Sequence, residues 1–396
     1  MLKGAVVAIS GRSRAKGSLL VGLVVGLLLI VWATAQGGNS AQVPEPFSKE
    51  YYVTPGDRFG VGLFKGVTVT VNGTTRSALI TDYAVDELQV GWYSDWRTNR
   101  EPLRPGGIRY AQLVPVRASA YPTVTLGLTD TAEATPGSLW LVGNEPEAKY
   151  GQGKRTPGEY AQIYHDVYTI IKDADPSAWV AIGGVIQPTP LRLEWLDRVL
   201  NEYQMRYGQA MPVDVWNIHM QILNEEAGSW GAEIPVGLTQ TQGRLYSFAD
   251  NASPTEFCRL VIEFRQWMKA RGLQDRPLII SEYGVLLPSS YLAGGDDAQG
   301  DQMVIGFMRG TFDFMLSAKD TTLGYPADDY RLVQQWLWYS LNDQPYDPAT
   351  GAGFNGSLFS HRFPSQITQF GRAFRDYVNG LSGWRIMLPF VGKVAY

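Results

Sequence analysis

The sequence contains one cysteine and three histidines among 396 residues, which excludes a disulfide framework and argues against a metal centre. Cys258 has no second cysteine with which to form an intrachain disulfide. The histidines match no HExxH or Cys/His spacing, and they are His165, His219 and His361. The sequence also lacks a GxSxG elbow, a GxxxxGK[ST] phosphate loop and a GxGxxG motif. We therefore expect no metal and no cofactor.

Positive charge is not in excess either. The chain has 34 Lys and Arg against 38 Asp and Glu, a formal net charge of -4 and a pI near 5.6. No Lys/Arg-rich run follows the N-terminal segment, so we expect no nucleic-acid partner. With 45% hydrophobic and 18% charged residues, the composition is that of a globular protein with a large core.

The N-terminus has the pattern of an export segment. Four basic residues precede the uncharged run SLLVGLVVGLLLIVWATAQ, namely Lys3, Arg12, Arg14 and Lys16. Residues 19–32 have the length of a signal-peptide apolar region, and Ala33-Thr34-Ala35 has the small-x-small pattern of a cleavage site. We interpret 1–35 as an export signal or a retained membrane anchor, either of which places the remainder outside the cytoplasm. Membrane association is expected through this segment alone.

A polar tether and a small β decoration are predicted next. Residues 36–50 are polar and interrupted by Gly and Pro, which is typical of a tether. In 51–86, an Asn72-Gly73 turn after a β-rich run predicts a hairpin that decorates the main body.

From Glu87 onward, short β-rich runs alternate with helical patterns, as in βα units on a parallel sheet. Seven strands are predicted, in ELQVGWYSDW, IRYAQLVPV, SLWLVGNEP, AWVAIGGVI, VDVWNIHMQI, PLIISEYGV and LVQQWLWYSLN. An eighth is placed in 121–128. The fold class predicted is α/β, a (β/α)8 TIM barrel over 87–380 followed by a tail at 381–396. An open doubly wound sheet is the alternative, but its glycine motif is missing.

Helices are predicted over Pro157–Asp173, Leu191–Tyr207, Pro254–Arg271 and Gln302–Ala318. Two of them have start signals, Thr156-Pro157 and Ser253-Pro254, in which Pro occupies the first helical position. The stretch 293–301, which follows the predicted strand PLIISEYGV, is predicted to be either the rim of a cleft at the strand ends or a solvated loop.

Two predicted strands end on a glutamate. One ends at Asn144-Glu145-Pro146, and the other places Glu282 one residue beyond an apolar run. Strand alternation predicts that Leu278, Ile280 and Glu282 share a face. A buried carboxylate must be paired, hydrogen-bonded or functional, because an isolated buried charge is costly. Since barrel strands end at one mouth, Glu145 and Glu282 should meet in one cavity, which is the requirement for glycoside hydrolysis.

Asn144-Glu145-Pro146 and the later Glu282-Tyr283-Gly284 resemble the paired signatures of clan A retaining glycoside hydrolases, over roughly 87–380. WYSDW and SLFSHRFPSQITQFGRAFRDY are similar to small endo-acting members of the alkali-soluble-glucan lytic type, which cut β-1,3-glucans. Gln221 stands where those members have an aromatic residue, two places after His219. The resemblance implies an exported retaining enzyme that cleaves a β-linked oligo- or polysaccharide by double displacement, with Glu145 as acid/base and Glu282 as nucleophile.

The same resemblance implies a set of substrate-binding residues. Asn144 would hold the sugar 2-hydroxyl, and His219 would orient the nucleophile or touch the sugar. Alternation places Asn217, His219 and Gln221 on one face of their strand. An aromatic platform is assigned to Trp338, with Trp336 as its alternative. Further candidates are Tyr283 beside the nucleophile, and Trp92, Tyr93, Asp95 and Trp96 in WYSDW. For the aromatic residues the competing interpretation is core packing.

Three other functions remain open at this point. One is a non-catalytic carbohydrate-binding barrel at the cell surface, and another is a transglycosylase that passes the glycosyl ester to a second sugar. The third is a structural barrel whose two glutamates are salt-bridged, which an Arg beside either carboxylate would favour.

Overall fold

The computed structural model describes residues 44–71, 73–150 and 153–383. The predicted export segment at 1–35, the first part of the tether and most of the predicted tail lie outside these ranges. Within them, every helix is too short or too polar to cross a bilayer.

Parallel β-sheet and helices make up the fold. Eleven strands occur in the described ranges: β1 Phe59–Gly62, β2 Thr68–Val71, β3 Thr74–Ser77, β4 Trp92–Ser94, β5 Arg109–Tyr110, β6 Gln112–Val114, β7 Leu139–Asn144, β8 Trp179–Gly184, β9 Trp216–Met220, β10 Leu278–Tyr283 and β11 Gln335–Trp338. Six form one sheet in the order β5-β4-β1-β11-β10-β9, and three form another in the order β6-β7-β8. Every pairing in these two sheets is parallel, whereas β2 and β3 form an antiparallel hairpin.

The two parallel sheets continue into one another at both edges. Isolated parallel bridges join Ala181 to Val215 and Val185 to Ile218, which connects β8 to β9. At the other edge β5 and β6 are consecutive in the chain, with Ala111 alone between them. The parallel pairings therefore pass from sheet to sheet through eight successive strand positions, counting β5 and β6 as one.

Apolar side chains on the two faces of the strands belong to two separate clusters. Leu141 and Ile279 lie in an inner cluster, whose residues come from six of the parallel strands, β7 and β10 included. Their chain neighbours Val142 and Ile280 lie in a larger cluster that also contains the helix side chains. The strands are thus buried on both faces, as their unbroken apolar runs predicted.

The strand β1 corrects the predicted order of elements. It lies between β4 and β11 in the larger sheet, so 51–86 is not a mere decoration, and the hairpin of β2 and β3 alone fits that description. The strand predicted in 121–128 is wrong, because Thr123–Gly127 is a 3-10 helix that leads into the first α-helix. A Cβ added to Gly60 would lie 2.6 Å from the Trp92 ring. This close approach requires glycine at position 60. Glycine is unfavourable within strands, so the sequence pattern did not indicate β1 as a strand.

The described end of the predicted tether is packed. Phe47 is 2% exposed and lies edge-on to Trp179, with ring centroids 5.5 Å apart. The prediction of a tether over 36–50 is therefore wrong for 44–50, because an aromatic side chain there is buried in the inner cluster.

The predicted helices are present. Helices in the described ranges are α1 Leu128–Ala134, α2 Pro157–Ala174, α3 Pro190–Tyr207, α4 Pro254–Ala270, α5 Ser289–Leu292, α6 Asp297–Ser317 and α7 Gln369–Gly383. Thr156 and Glu159 form the capping box of α2, and Ser253 accepts a hydrogen bond from the Glu256 amide in α4. The helix α6 begins earlier than predicted because Asp296 caps it.

A buried ionic cluster anchors the loop that follows β7. Arg192, in α3, contacts Glu147 and Glu225, and all three side chains are 0% exposed. Glu147 also accepts a hydrogen bond from the Ile186 amide at 2.7 Å. The loop carrying Glu145 is thereby fixed to α3, the helix that follows β8.

Replacing Arg192→Met should leave two buried carboxylates without their cation and lower the free energy of unfolding by about 3–5 kcal/mol. The control on the same helix is Arg198→Ala, which removes an exposed pair with Glu194 and should cost less than about 1 kcal/mol. Urea denaturation monitored by tryptophan fluorescence measures both. Equal losses in the two variants would contradict this account of the cluster.

Candidate active site

A cleft of about 510 Å³ opens where several parallel strands end. Side chains that line it include Asp95, Trp96, Asn144, Glu145, Gln221, Glu282 and Tyr339. The cleft brings together residues from β4, β7, β9, β10 and β11 or from the loops that directly follow them. The predicted meeting of Glu145 and Glu282 in one cavity is confirmed.

Glu145 enters the cleft through an unusual backbone conformation. Its φ is 45°, in the left-handed region that non-glycine residues seldom adopt. Its amide donates a hydrogen bond to the Gly184 carbonyl of β8 at 3.0 Å, which holds the turn in place. A left-handed residue costs of order 1 kcal/mol or more and is found most often at functional sites.

Glu282 reaches the cleft because β10 contains a bulge. The register with β9 shifts between Ile280, which pairs with Ile218, and Glu282, which pairs with His219. Leu278 and Ile280 lie in the helix-side cluster, so the prediction that they share a face with Glu282 is wrong. A bulge adds one residue and redirects the following side chain, here into the cleft.

Both carboxyl oxygens of Glu282 accept a hydrogen bond from a side-chain N–H group. Trp96 Nε1 donates to Oε2 at 2.9 Å, and Gln221 Nε2 donates to Oε1 at 3.0 Å. Gln221 lies on the same face of its strand as His219, as predicted, and the Gln that departs from the expected aromatic residue therefore contacts the second glutamate. Donors on both oxygens favour the ionised form of this carboxyl group.

His219 connects to the other glutamate. Its Nδ1 lies 3.1 Å from Glu145 Oε1, and its side chain is 1% exposed. One ligand atom from each of Glu145, His219 and Glu282 lies within 4.8 Å of the other two. Retaining glycosidases hold their carboxyl groups about 5–5.5 Å apart, whereas inverting enzymes need about 6.5–9.5 Å. The nearest carboxyl oxygens of Glu145 and Glu282 thus lie closer together than either range.

This trio has the composition of a possible cation site, two carboxylates and one imidazole. The surrounding donors argue against that use, because a cation on Glu282 would face the N–H groups of Trp96 and Gln221. Among the described residues, no Lys or Arg forms an ion pair with either Glu145 or Glu282. Arg97 and Arg117 line the cleft, but Arg97 pairs with Asp95 and the nearby Arg192 contacts Glu147, so the interpretation in which an Arg salt-bridges the two glutamates is wrong.

The pKa values follow from burial and mutual charge. Burial raises the pKa of Glu282 to about 7, while His219 opposes the rise and the negative charge of Glu145 adds to it. Burial lowers the pKa of His219, but Glu282 and Glu145 together raise it above its ordinary value. Because the first carboxyl group to ionise disfavours ionisation of the other, the pair retains one proton to about pH 7.

Two buried acceptors in the cleft have no protein partner. The Oδ1 atom of Asn144 and the Oε1 atom of Gln221 are buried and make no hydrogen bond within the described residues. Both residues line the cleft beside the two glutamates. Buried amide oxygens without a partner are costly, so a ligand that donates hydrogen bonds would satisfy them.

Three predicted substrate contacts are core residues. Trp338 and Tyr283 face the helices, with ring centroids 5.3 Å apart, and Trp338 Nε1 donates to the Gly356 carbonyl at 2.8 Å. Trp92 is the first residue of β4, so it lies in the inner cluster away from the strand ends. Trp336, the alternative platform, is also in the helix-side cluster. These predictions are wrong because alternation or position along the strand directs each ring into packing.

Two aromatic residues in the cleft, Trp96 and Tyr339, stand one or two positions beyond the end of a strand. Trp96 is one of the candidate substrate-binding residues of WYSDW. Its ring lies edge-on to that of Tyr339, with ring centroids 5.5 Å apart. Tyr339 directly follows β11, and its ring centroid lies 5.7 Å from that of Phe354. Tyr339 and Phe354 were missed, and for Tyr339 the signal was its place just after the strand. Asp95 does line the cleft, although it is paired with Arg97 at 3.0 Å.

Comparisons with known proteins agree with a glycoside hydrolase fold. No family model matches the chain, and no curated protein does. A glucosidase from Croceicoccus marinus is similar, with a TM-score of 0.51 and 14% identity over 81% of this chain and 67% of that one. A family 51 α-L-arabinofuranosidase from Bifidobacterium longum has a TM-score of 0.48 and 13% identity, over 82% and 73% respectively. A GH128 (subgroup VII) oligosaccharide-binding protein from Trichoderma gamsii has a TM-score of 0.47 and 11% identity, over 86% and 98%. At such identities the likeness supports the fold alone.

The raised pKa of Glu282 predicts a dependence of stability on pH. A carboxyl group with a pKa near 4.5 in the unfolded chain and about 7 in the fold stabilises the fold fully below pH 4.5. That contribution, up to about 3 kcal/mol, is lost as pH rises through 7. Glu282→Gln should remove this pH-dependent loss. The free energy of unfolding of the variant, measured by urea denaturation, should therefore rise relative to that of the wild type between pH 5 and 8. Glu194→Gln, at an exposed position, should follow the wild type; identical pH profiles for all three proteins would exclude a buried, raised Glu282.

Proposed function

We propose that this protein is a retaining glycoside hydrolase that acts on a β-linked glycan, with Glu145 as the acid/base and Glu282 as the nucleophile. The observation that carries the proposal is the placement of one oxygen from each carboxyl group within 4.8 Å of the other, in a cleft at the strand ends. This spacing allows direct attack by one carboxylate but leaves no room for a water molecule between it and the sugar.

A closed (β/α)8 barrel is part of the proposal. It is supported by the eight successive parallel strand positions, by the connection of the two sheets at both edges and by the separate inner core. Helices follow most of these strands, as the βα pattern requires. We take 59–380 as the extent of the barrel, which includes β1.

In the first step, a carboxylate oxygen of Glu282 attacks the anomeric carbon and forms a glycosyl ester. The bond between that carbon and the leaving oxygen breaks, and Glu145 donates its proton to that oxygen. In the second step, Glu145 accepts a proton from water while the water oxygen bonds to the anomeric carbon. The ester bond then breaks, and Glu282 leaves as a carboxylate. Two displacements retain the anomeric configuration.

The neighbours of the pair suit these roles. Trp96 and Gln221 donate to Glu282, which stabilises its charge and aims its oxygens. His219 contacts Glu145, the residue that must hold and release a proton. Unpaired amide oxygens on Asn144 and Gln221 are suited to accept hydrogen bonds from sugar hydroxyls. Tyr339 and Phe354 offer ring surface beside them.

The location outside the cytoplasm also belongs to the proposal, since the export segment at 1–35 is its basis. A β-linked oligo- or polysaccharide encountered outside the cell would be the substrate. Transglycosylation uses the same glycosyl ester, and product analysis with an acceptor sugar distinguishes it from hydrolysis.

Trapping the ester tests the nucleophile. Incubation with a panel of 2-fluoro β-glycosides carrying an activated leaving group should add one fluorosugar mass, and peptide mapping should place it on Glu282. The fluorine slows hydrolysis of the ester because it destabilises the positively charged transition state. An adduct on another residue would refute the assignment, and binding without any adduct across the panel would favour the non-catalytic carbohydrate-binding barrel.

A second test concerns the acid/base. Glu145→Ala should lower turnover of poor leaving groups by about 10²–10⁴-fold, but dinitrophenyl glycosides need no acid and should still form the ester. Azide should restore turnover and yield a β-glycosyl azide. Because the charge of Glu145 raises the pKa of Glu282, ester formation should also begin at a lower pH than in the wild type.

The control is Glu194→Gln, which should match the wild type in every assay. An α-glycosyl azide, or an equal loss of activity on activated and unactivated substrates, would contradict the acid/base role.

A further inference from the structure

Four aromatic residues form a contiguous row on the surface, which we call the rim strip: Trp230, Phe248, Tyr291 and Tyr346. Successive ring centroids lie 4.6, 5.5 and 6.2 Å apart. Phe248 is 40% exposed and Tyr291 is 43% exposed. Single exposed aromatic residues are ordinary, but a contiguous row of them marks an interaction surface.

The rim strip lies on loops that follow the strands of the candidate active site. Trp230 and Phe248 precede α4 in the loop after β9, Tyr291 is in α5 after β10, and Tyr346 is in the loop after β11. The strip therefore stands at the same edge of the sheets as the cleft. The loop after β9 also supplies residues to the cleft beside Trp230, including Gly231.

Two asparagines fix the strip relative to the cleft. Asn251 donates to the Gln221 carbonyl, and its side-chain oxygen accepts from the amides of Leu286 and Leu287 at 3.0 and 3.1 Å. Asn355 donates to the Leu287 carbonyl at 3.0 Å. Leu286 and Gln221 line the cleft, so the loops that carry the strip are hydrogen-bonded to the walls of the candidate active site.

A groove of about 350 Å³ runs between Tyr291 and Tyr346. Asp297 and Asp301 also line it, at the start of α6 in the stretch 293–301 that was predicted as a rim or a solvated loop. Among the described residues, no hydrogen bond or ion pair engages the Asp297 side chain, so its carboxylate is open to a ligand. Asp301, in contrast, accepts hydrogen bonds from Ser289 and Gln369. Aromatic faces beside carboxylates match the chemistry of a sugar ring, which has apolar C–H faces and hydroxyl donors.

We propose that the rim strip and its groove bind a β-linked glycan chain that extends out of the cleft. The substrate would then be a polymer or a long oligosaccharide, since the chain it binds reaches beyond the cleft. This inference rests on the proposed function of the cleft. A glycan is the occupant we choose because the loops that line the groove also supply Leu286 and Phe354 to the cleft, and because the groove combines ring faces with the carboxylate of Asp297.

The test uses the full chain carrying Phe248→Ala and Tyr291→Ala together. Affinity electrophoresis in gels that contain soluble β-glucan, β-xylan or β-mannan measures polymer binding. Kinetics are then compared on the polymer that slows migration of the wild type and on a short aryl β-glycoside. We expect polymer affinity to fall about ten-fold or more, as for loss of two binding hot spots. The KM for polymer should rise, while kcat/KM on the aryl glycoside stays unchanged.

The control is Tyr330→Asn, which removes an exposed aromatic residue that precedes β11 and so lies away from the cleft. Tyr330 has a φ of 57°, which asparagine tolerates. This variant should bind polymer as the wild type does, and thermal melting of all proteins verifies folding.

Unchanged polymer binding in the double variant would overturn the inference, as would an equal loss on the aryl glycoside. A change confined to self-association in sedimentation would identify the strip as a contact between copies and also overturn it. Strip-dependent polymer binding by a wild type that hydrolyses no substrate would support the strip and refute the proposed function of the cleft.

Discussion

The mutual repulsion of two carboxyl groups in a largely buried cleft is the constraint on which the rest of the site depends. Within 4.8 Å of each other, Glu145 and Glu282 cannot both ionise without a large cost. The protein supplies N–H donors to one of them and an imidazole to the other. This asymmetry gives the two glutamates different environments, and different environments are what allow one acid and one base to coexist.

Both glutamates occupy irregular backbone. A left-handed φ positions Glu145, and a bulge positions Glu282. Such irregularities cost free energy, and regular structure around them must offset that cost. Here the adjoining structure includes capped helices and the buried cluster of Arg192, which fixes the loop after β7. Rigid surroundings hold the two carboxyl groups at a defined distance.

Aromatic residues are distributed between packing and exposed surface according to their position along the chain. Those within strands, such as Trp338 and Tyr283, pack against helices. Those just beyond strand ends, such as Trp96 and Tyr339, line the cleft, and those further along the loops form the rim strip. Composition alone therefore did not distinguish a sugar platform from a core, although 12 Trp and 21 Tyr made both plausible.

The sequence by itself determined the local features: the alternation of β-rich and helical segments, the helix starts at Thr156 and Ser253, and the two glutamates at strand ends. Each depends on residues close in the chain, where periodicity and capping act. The tertiary structure alone decided that the glycine-rich β1 belongs to the sheet, that a bulge turns Glu282 into the cleft and that Trp338 packs away from it. These outcomes depend on contacts between distant segments, which local patterns do not encode.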